Sequence, residues 1–495
     1  MQYTIGVDIG TYESKGVLVD ADGQIIAMAS GPHKMIVPQP GWAEHRPDQD
    51  WWGDFKTITQ RLLADSGVPL KDVVAVGCSA IGPCMLPVNA GGQPLMNGVL
   101  YGVDTRAMAQ IAELTDQIGG KVVLDRCGNA LTSQSVGPKI LWLKQERPEV
   151  YEQTAKILTS TSYIVHKLTG EYVIDHHTAA GFSPLYDADK QDWCFDLAPQ
   201  IARPDMLPRL LWSSEIAGHV TPAAASETGL AEGTPIIAGT IDAAAEALSV
   251  GVRKTGDMMM MYGSTIFTIL LTETRVRDPR LWYAPWLFPS QHAAMAGLAT
   301  SGTLTHWFRD QFARELPISD AFPTLVAEAE NTPPGANGLL FLPYFSGERT
   351  PIHDPLAKGA FFGLNLTHTR ADMFRAVIEG IAFGTNHVVE TYRDINAAPS
   401  RLFAVGGGTK NSLWLQTTSD ITGIDQTLCE KTVGASYGDA LLARIGIGGS
   451  QVSEIVQWNP VTSTTIATQH NAYDARYRLF RRLYEQTKDI ARDLG

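Results

Sequence analysis

Residues 3–20, YTIGVDIGTYESKGVLVD, decide how this chain is read. Tyr3 to Asp8 is rich in β-formers, Ile9 to Glu13 supplies a turn, and Lys15 to Asp20 gives a second strand. Asp22-Gly23 then turns the chain into a third strand near Gln24 to Ala29. Gly10 lets the backbone turn tightly and approach a ligand, and Thr11 adds a hydroxyl beside exposed N–H groups, which suits phosphate oxygens. Asp8, at a strand end, suits a hydrated Mg²⁺, which takes one or two carboxylates plus phosphate oxygens, and Lys15 adds positive charge nearby. An ordinary hairpin with an Asx turn would read the same way.

An echo of this unit stands in the second half of the chain. Asp257 to Tyr262 leads into Gly263-Ser264-Thr265, followed by the apolar strand Ile266 to Leu271. Two strand–turn–strand units with the same Gly-hydroxyl equipment suggest two related halves that clasp a polyphosphate. The stretch from Val220 to Pro235, rich in Ala, Gly, Thr and Pro, precedes the second half, so the expected domains are 1–245 and 246–495. Between the hairpins, helical spacing over Asp48 to Ala64 and Thr105 to Ile118 alternates with the apolar run Val73 to Cys78. Met258 to Met261 reads as a buried strand. The alternation points to an α/β fold.

Two further segments carry chemistry. Gly239-Thr240-Ile241-Asp242-Ala243 sets a carboxylate among small residues just past the apolar strand Pro235 to Ala238, where α/β sheets keep their sites. Asp242 there could accept a proton from a hydroxyl attacking a phosphoryl group, although a helix N-cap has almost the same look. Val405-Gly406-Gly407-Gly408-Thr409-Lys410-Asn411 is a strand feeding a glycine run, which lets backbone approach a ligand closely. It is neither GxxxxGK[ST] nor GxGxxG.

Composition removes other classes. The 495 residues are 44% hydrophobic and 18% charged, enough for substantial cores. A net charge of -13 without basic runs argues against nucleic acid as a partner. The 5 cysteines are scattered without CxxC, which fits a reducing compartment and excludes a zinc site of that type. His176-His177 are adjacent and share no helical face, so they do not read as metal ligands. The N-terminus lacks a signal-peptide pattern and no apolar run reaches the roughly 18 residues of a membrane span, so a cytoplasmic enzyme is expected.

At this point six ordered segments resemble the FGGY carbohydrate kinases, among them glycerol kinase, xylulokinase, ribulokinase and gluconate kinase. They are DIGTYESK (8–15), PGWAEHRPDQDWW (40–52), ILWLKQERPEVY (140–151), the long stretch from Gly347 to Gly384, VGGGTKNSLWLQTTSDITG (405–423) and VGASYGDALLA (433–443). The resemblance implies two actin-like (ribonuclease-H-like) ATPase domains with an interdomain cleft, ATP and Mg²⁺ as cofactors, and a sugar or polyol as substrate. It implies that Asp242 is the catalytic base and that Asp8 and Asp242 lie on the metal side. Gly10, Thr11, Lys15, Gly263, Ser264 and Thr265 would hold phosphates; Gly302 would form a nucleotide-side turn; and Gly406, Gly407 and Asn411 would meet the adenosine.

The sugar side departs from the best-known relatives. Gly82 and Pro83 stand where glycerol kinase carries Arg-Glu and xylulokinase Met-His, and Ala243 replaces the usual polar residue after the catalytic Asp. Tyr101 stands for a Trp, Asp104 follows in a WxD-like pattern, and Phe267 matches an apolar wall. Glycerol is therefore disfavoured, because hydroxyls buried without polar partners lose their bonds to water. The expected substrate is a ketopentose such as xylulose, with ribulose, erythritol or gluconate as alternatives. A catalytically silent sugar sensor is a further alternative, against which Asp8, Thr11, Asp242 and Ser264 speak. An Hsp70-like ATPase would lack the signature between Gly359 and Glu379. The family resemblance also makes a homodimer one expected assembly.

Overall fold

The computed structural model describes residues 1–469 and 472–494, and by packing it divides into two units. Unit 1 comprises Met1–Arg253, Glu273–Ala293 and Val433–Pro460; unit 2 comprises Lys254–Thr272, Ala294–Thr432 and the described residues after Pro460. The cut at 245 drawn from the sequence falls inside a helix, Asp242–Ser249, and the chain returns to unit 1 twice after it. Local patterning does not register such returns.

Unit 1 is built on a mixed sheet. Strands β1 (Tyr3–Ile9), β2 (Glu13–Val19) and β3 (Ile25–Pro32) form an antiparallel meander in which Asp8 sits opposite Lys15. Helix α1 (Trp52–Ser66) buries Phe55, Ile58 and Leu62. The spacing predicts this helix from Asp48, but Pro47–Trp51 makes a wider π-type turn first. The reason is local: Asp50 accepts from the Arg46 backbone N–H at 2.8 Å and from its guanidinium at 2.7 Å, which folds the carboxylate back on the approaching chain.

Strand β4 (Val73–Ala80) joins β1 in parallel and brings Ser79 beside Asp8. Strands β5 (Ile216–His219) and β6 (Pro235–Ile237) complete the order β5-β6-β4-β1-β2-β3, and the short β7 (Thr240–Ile241) pairs with the end of β4. Helix α2 (Asp242–Ser249) starts where β7 ends, and helix α3 (Ala435–Gly446) packs across β1 and β4. Two glycines permit that packing. A Cβ on Gly6 would overlap the Ser436 carbonyl, and one on Gly438 would overlap the Ala245 carbonyl of α2.

Unit 2 repeats the scheme. Strands β8 (Asp257–Tyr262) and β9 (Ile266–Thr272) form an antiparallel hairpin, and β11 (Arg401–Val405) pairs in parallel with β8. With β10 (His292–Leu298, in unit 2 from Ala294), β12 (Gln426–Cys429) and β13 (Val461–Thr465), the strands of this unit run in the order β10-β9-β8-β11-β12-β13. The centre β9-β8-β11 has the same sense and pairing as β2-β1-β4, so the echo between the two Gly-hydroxyl turns extends to topology. The methionine run 258–261 is the central strand, and the 25-residue helix Arg370–Asp394 is buried along most of its length. The α/β expectation is met. Among the described residues, no helix is long and apolar enough to cross a membrane, and all 5 cysteines are buried.

Candidate active site

In unit 1 the C-terminal end of β1, the tip of β4 and the helices α2 and α3 bring four carboxylates together. Asp8 lies one residue before the end of β1. The Ser79 hydroxyl of β4 stands 3.2 Å from Asp8 Oδ1 and 2.7 Å from Asp439 Oδ2 on α3. Asp242 is the first residue of α2, and Glu246 follows one helical turn later on the same face. The N-cap of α2 is Ile241, so the capping role that the sequence allowed for Asp242 is not used. Instead, Asp242 Oδ1 accepts from the Ala243 N–H at 2.7 Å.

The electrostatics are those of crowded, poorly hydrated acids. Burial pushes the Asp242 carboxyl up to about 6. Burial and then the Asp242 charge push Glu246 up to about 7, with Lys15 opposing. Asp8 is raised well above the usual range by burial, then by Asp242 and Glu246, with Ser79 and Lys15 opposing. Asp439 is raised by burial and by the Asp8 charge, and its Oδ1 is buried without a hydrogen-bond partner. No three His, Cys, Asp or Glu side chains among the described residues stand close enough to hold a metal ion by themselves. Asp8 and Asp242 are carboxylates of the kind that a hydrated Mg²⁺ would take together with phosphate oxygens.

A pH dependence follows. A carboxyl raised in the folded chain binds its proton more tightly there than when unfolded, so its contribution is present at low pH and lost as pH rises through the folded value. For Glu246 that window runs from its ordinary value near 4.5 to about 7. Wild type is expected to lose thermal stability relative to Glu246→Gln as pH rises through that window, read as a widening gap in Tm. An unchanging gap would show that Glu246 is not destabilised by its neighbours.

Gly10 N–H donates to Glu13 O at 3.1 Å, closing a turn whose tip is Thr11-Tyr12. Lys15 pairs with Glu13 at 3.3 Å and is half exposed. Gly82 is buried against Ile241, and Pro83 packs on Gly181. Tyr101 is half-buried. Asp104 is 1% exposed, accepts the Ala43 N–H at 2.7 Å and is forked by Arg106, also at 2.7 Å. Arg106 is in turn held by Glu44 at 2.9 Å, with its guanidinium 3.9 Å from the Trp42 ring centroid. The Asp-x-Arg spacing at 104–106 is the signal that identifies this buried pair.

In unit 2, Gly263 N–H donates to Thr265 O at 3.1 Å, making the second tight turn, with Ser264 exposed at its tip. Gly302 is not itself in a turn but is the first residue of the helix Gly302–Phe312, whose start lies against that turn. A Cβ on Gly302 would overlap the Gly263 carbonyl. Phe267 is half-buried on β9. Gly406, at φ 92°, passes so close to Tyr262 that a Cβ would lie 2.7 Å from its carbonyl, whereas Gly407 is exposed and open. Asn411 caps the helix Ser412–Thr422 through Trp414 N–H at 3.0 Å. Sequence reasoning missed Ser79, Glu246 and Asp439. Of these, Glu246 leaves a signal as the second acid one turn after Asp242, and Asp439 as the acid of the 433–443 segment.

Known proteins share this architecture. The solved structure of xylulose kinase from Rhodospirillum rubrum superposes with a TM-score of 0.93 at 30% identity, over 99% of this chain and 100% of that one. Gluconate kinase from Lactobacillus acidophilus gives 0.89 at 25% identity, over 99% and 98%. The xylulose kinase of Escherichia coli (strain K12) is 30% identical over 97% of this chain and 98% of its own length. A gluconokinase of Bacillus subtilis (strain 168) is 26% identical over 90% and 88%. The fold is thus that of a two-domain sugar kinase. The pattern of the FGGY family of carbohydrate kinases matches in its N-terminal domain over residues 3–249 and in its C-terminal domain over residues 258–447. The chain belongs to that family and is an ATP-dependent sugar phosphotransferase.

Proposed function

We propose that this kinase transfers the γ-phosphoryl group of ATP to a hydroxyl of a ketopentose, xylulose being the first candidate, with Asp242 as general base. The observation that carries the reading is the Asp242 carboxyl at the start of α2, pushed up to about 6 by burial. A base tuned toward neutrality takes a hydroxyl proton more readily than an ordinary aspartate, and it is unprotonated at pH 7. Asp8 and Asp242 would hold Mg²⁺, which when bound neutralises charge on the phosphate oxygens. The 10–13 and 263–265 turns would hold phosphate through backbone N–H groups and the hydroxyls of Thr11, Ser264 and Thr265. Gly302, Gly406, Gly407 and Asn411 would serve the nucleotide, and Gly82, Pro83, Tyr101 and Phe267 the sugar.

Relatives named xylulose kinase and gluconokinase both resemble the chain, so an aldonate is the competing substrate. Two cations border the Tyr101–Asp104 segment, and both are engaged. Arg106 is paired with Asp104 and Glu44 through Nε and Nη2, with only its buried Nη1 lacking a hydrogen-bond partner, and Lys139, buried, donates to Leu100 O and Ser133 O at 2.8 Å each. A sugar carboxylate would compete for them at the cost of a buried charge pair, which favours an uncharged sugar. A coupled ADP-release screen over ketopentoses, polyols and aldonates tests this, with Asp242→Ala as the control. Xylulose or another ketopentose is expected to give the highest kcat/KM. A gluconate kcat/KM above that of every ketopentose would overturn the substrate reading.

A further inference from the structure

A turn can offer its N–H groups to an anion only when its carbonyls point elsewhere. In a trans peptide, the C=O of one residue and the N–H of the next point in opposite directions. In the turn between β1 and β2, three successive carbonyls are held. Gly10 O accepts from His33 Nε2 at 3.0 Å, Thr11 O from His45 Nε2 at 3.1 Å, and Tyr12 O from the His33 backbone N–H at 2.9 Å. The N–H groups of Thr11, Tyr12 and Glu13 are thereby directed away from the histidine pair.

Both rings are themselves fixed. His45 is fully buried, and its Nδ1 accepts from Trp51 Nε1 at 3.1 Å, which leaves the proton on Nε2 for Thr11. His33 has a side chain only 4% exposed, and its Nδ1 lies 2.8 Å from Asp54 Oδ2, which also accepts from Ser14 Oγ at 2.7 Å. The two rings meet edge to face at 4.9 Å. Unit 2 achieves the same end by other means: Gly263 O accepts the Gly302 N–H at 3.1 Å, and Ser264 O accepts the Ser301 N–H at 3.0 Å and the Thr303 N–H at 3.3 Å. One turn is held by a helix start, the other by two imidazoles.

We propose that His33 and His45 are positioning residues for the phosphates of the nucleotide: by holding the carbonyls of Gly10 and Thr11, they aim the N–H groups of Thr11 and Tyr12 at the anion. This rests on the proposed reading of that turn as a phosphate cradle. Donors fixed before the ligand arrives need no reorganisation on binding, which is where the affinity comes from. The two histidines differ in charge. Burial lowers His45 to about 4, so it works as the neutral ring. His33 needs a proton on both nitrogens to serve Asp54 and Gly10 together, and Asp54 raises it against burial, with Asp50 and the Gly10 carbonyl adding to the rise. The neighbouring His45 is neutral and so does not oppose that charge.

The test is the affinity of the intact protein for a non-hydrolysable ATP analogue with Mg²⁺, measured by titration calorimetry, together with the KM values for ATP and sugar. His45→Leu is expected to weaken nucleotide binding about tenfold, with the sugar KM unchanged, as loss of one orienting hydrogen bond would. His45→Gln, which keeps a donor, is expected to recover most of the affinity. His33→Leu should weaken binding similarly. In wild type, affinity should fall as pH rises through the raised His33 range, a step that His33→Leu lacks. Gly10→Ala, whose Cβ would lie 2.8 Å from Glu13 O, perturbs the turn directly. If Gly10→Ala weakens nucleotide binding and the histidine variants do not, the positioning role is wrong while the cradle reading survives. If Gly10→Ala leaves binding unchanged, the cradle reading falls and this proposal with it. Equal effects of His45→Leu on nucleotide and sugar KM would show a merely structural role.

Discussion

Replacing Asp242 by Asn is expected to lower kcat by about 10²–10⁴, the usual cost of losing a positioned general base. The sugar KM should change little, because Asn keeps the size of the side chain and one oxygen acceptor. A second effect has the opposite sign. Asp242 raises both Asp8 and Glu246 by like-charge repulsion. Removing its charge relieves that repulsion, so the Asn variant should unfold at a higher temperature than wild type above pH 7. Gaining stability while losing turnover is the mark of a residue kept strained for function. Wild-type kcat should also fall on the acid side as Asp242 takes up a proton near pH 6. Turnover of Asp242→Asn within a few-fold of wild type on the best sugar would remove Asp242 from its role.

The parts legible in the sequence are those whose signal is local. The two hairpins show because a Gly-hydroxyl turn between β-rich runs is written in adjacent residues. The methionine run 258–261 shows because a short apolar run needs no partner to be recognised. Asp242 stood out as a carboxylate among small residues, although whether it caps the helix was open until Ile241 took the cap. What the sequence hid depends on residues far apart in the chain. Asp439 reaches Asp8 through Ser79, and His33 and His45 are tied to the first turn by folding of β3 and the segment before α1. The return of segments 273–293 and 433–460 to unit 1 is of the same kind. The pairing of Asp104 with Arg106, whose guanidinium lies between Trp42 and Trp142, joins neighbours in the chain, but its burial by tryptophans far apart in sequence is not written locally.

Gly438→Ala is expected to destabilise the protein by about 1–3 kcal/mol, the range for forcing extra volume into a packed core. Helix propensity alone argues the other way, since Ala in a helix interior is favoured over Gly by about 1 kcal/mol. Packing wins because the obstacle cannot move: the added Cβ would overlap the Ala245 carbonyl, which is backbone of α2. The helices must separate, and both carry site residues. Asp242 and Glu246 ride on α2, while Asp439 rides on α3 next to the substituted position. A shift of α3 also loosens Asp439 from the Ser79 hydroxyl, which stands 2.7 Å from one and 3.2 Å from Asp8. Turnover should therefore fall well beyond what the stability loss explains at a temperature where the variant is still folded. The control is Gly31→Ala, where a Cβ meets nothing within 4 Å, so neither urea unfolding nor kcat should change appreciably. If Gly438→Ala were as stable and active as that control, the close crossing of α2 and α3 would not be what sets the carboxylate cluster.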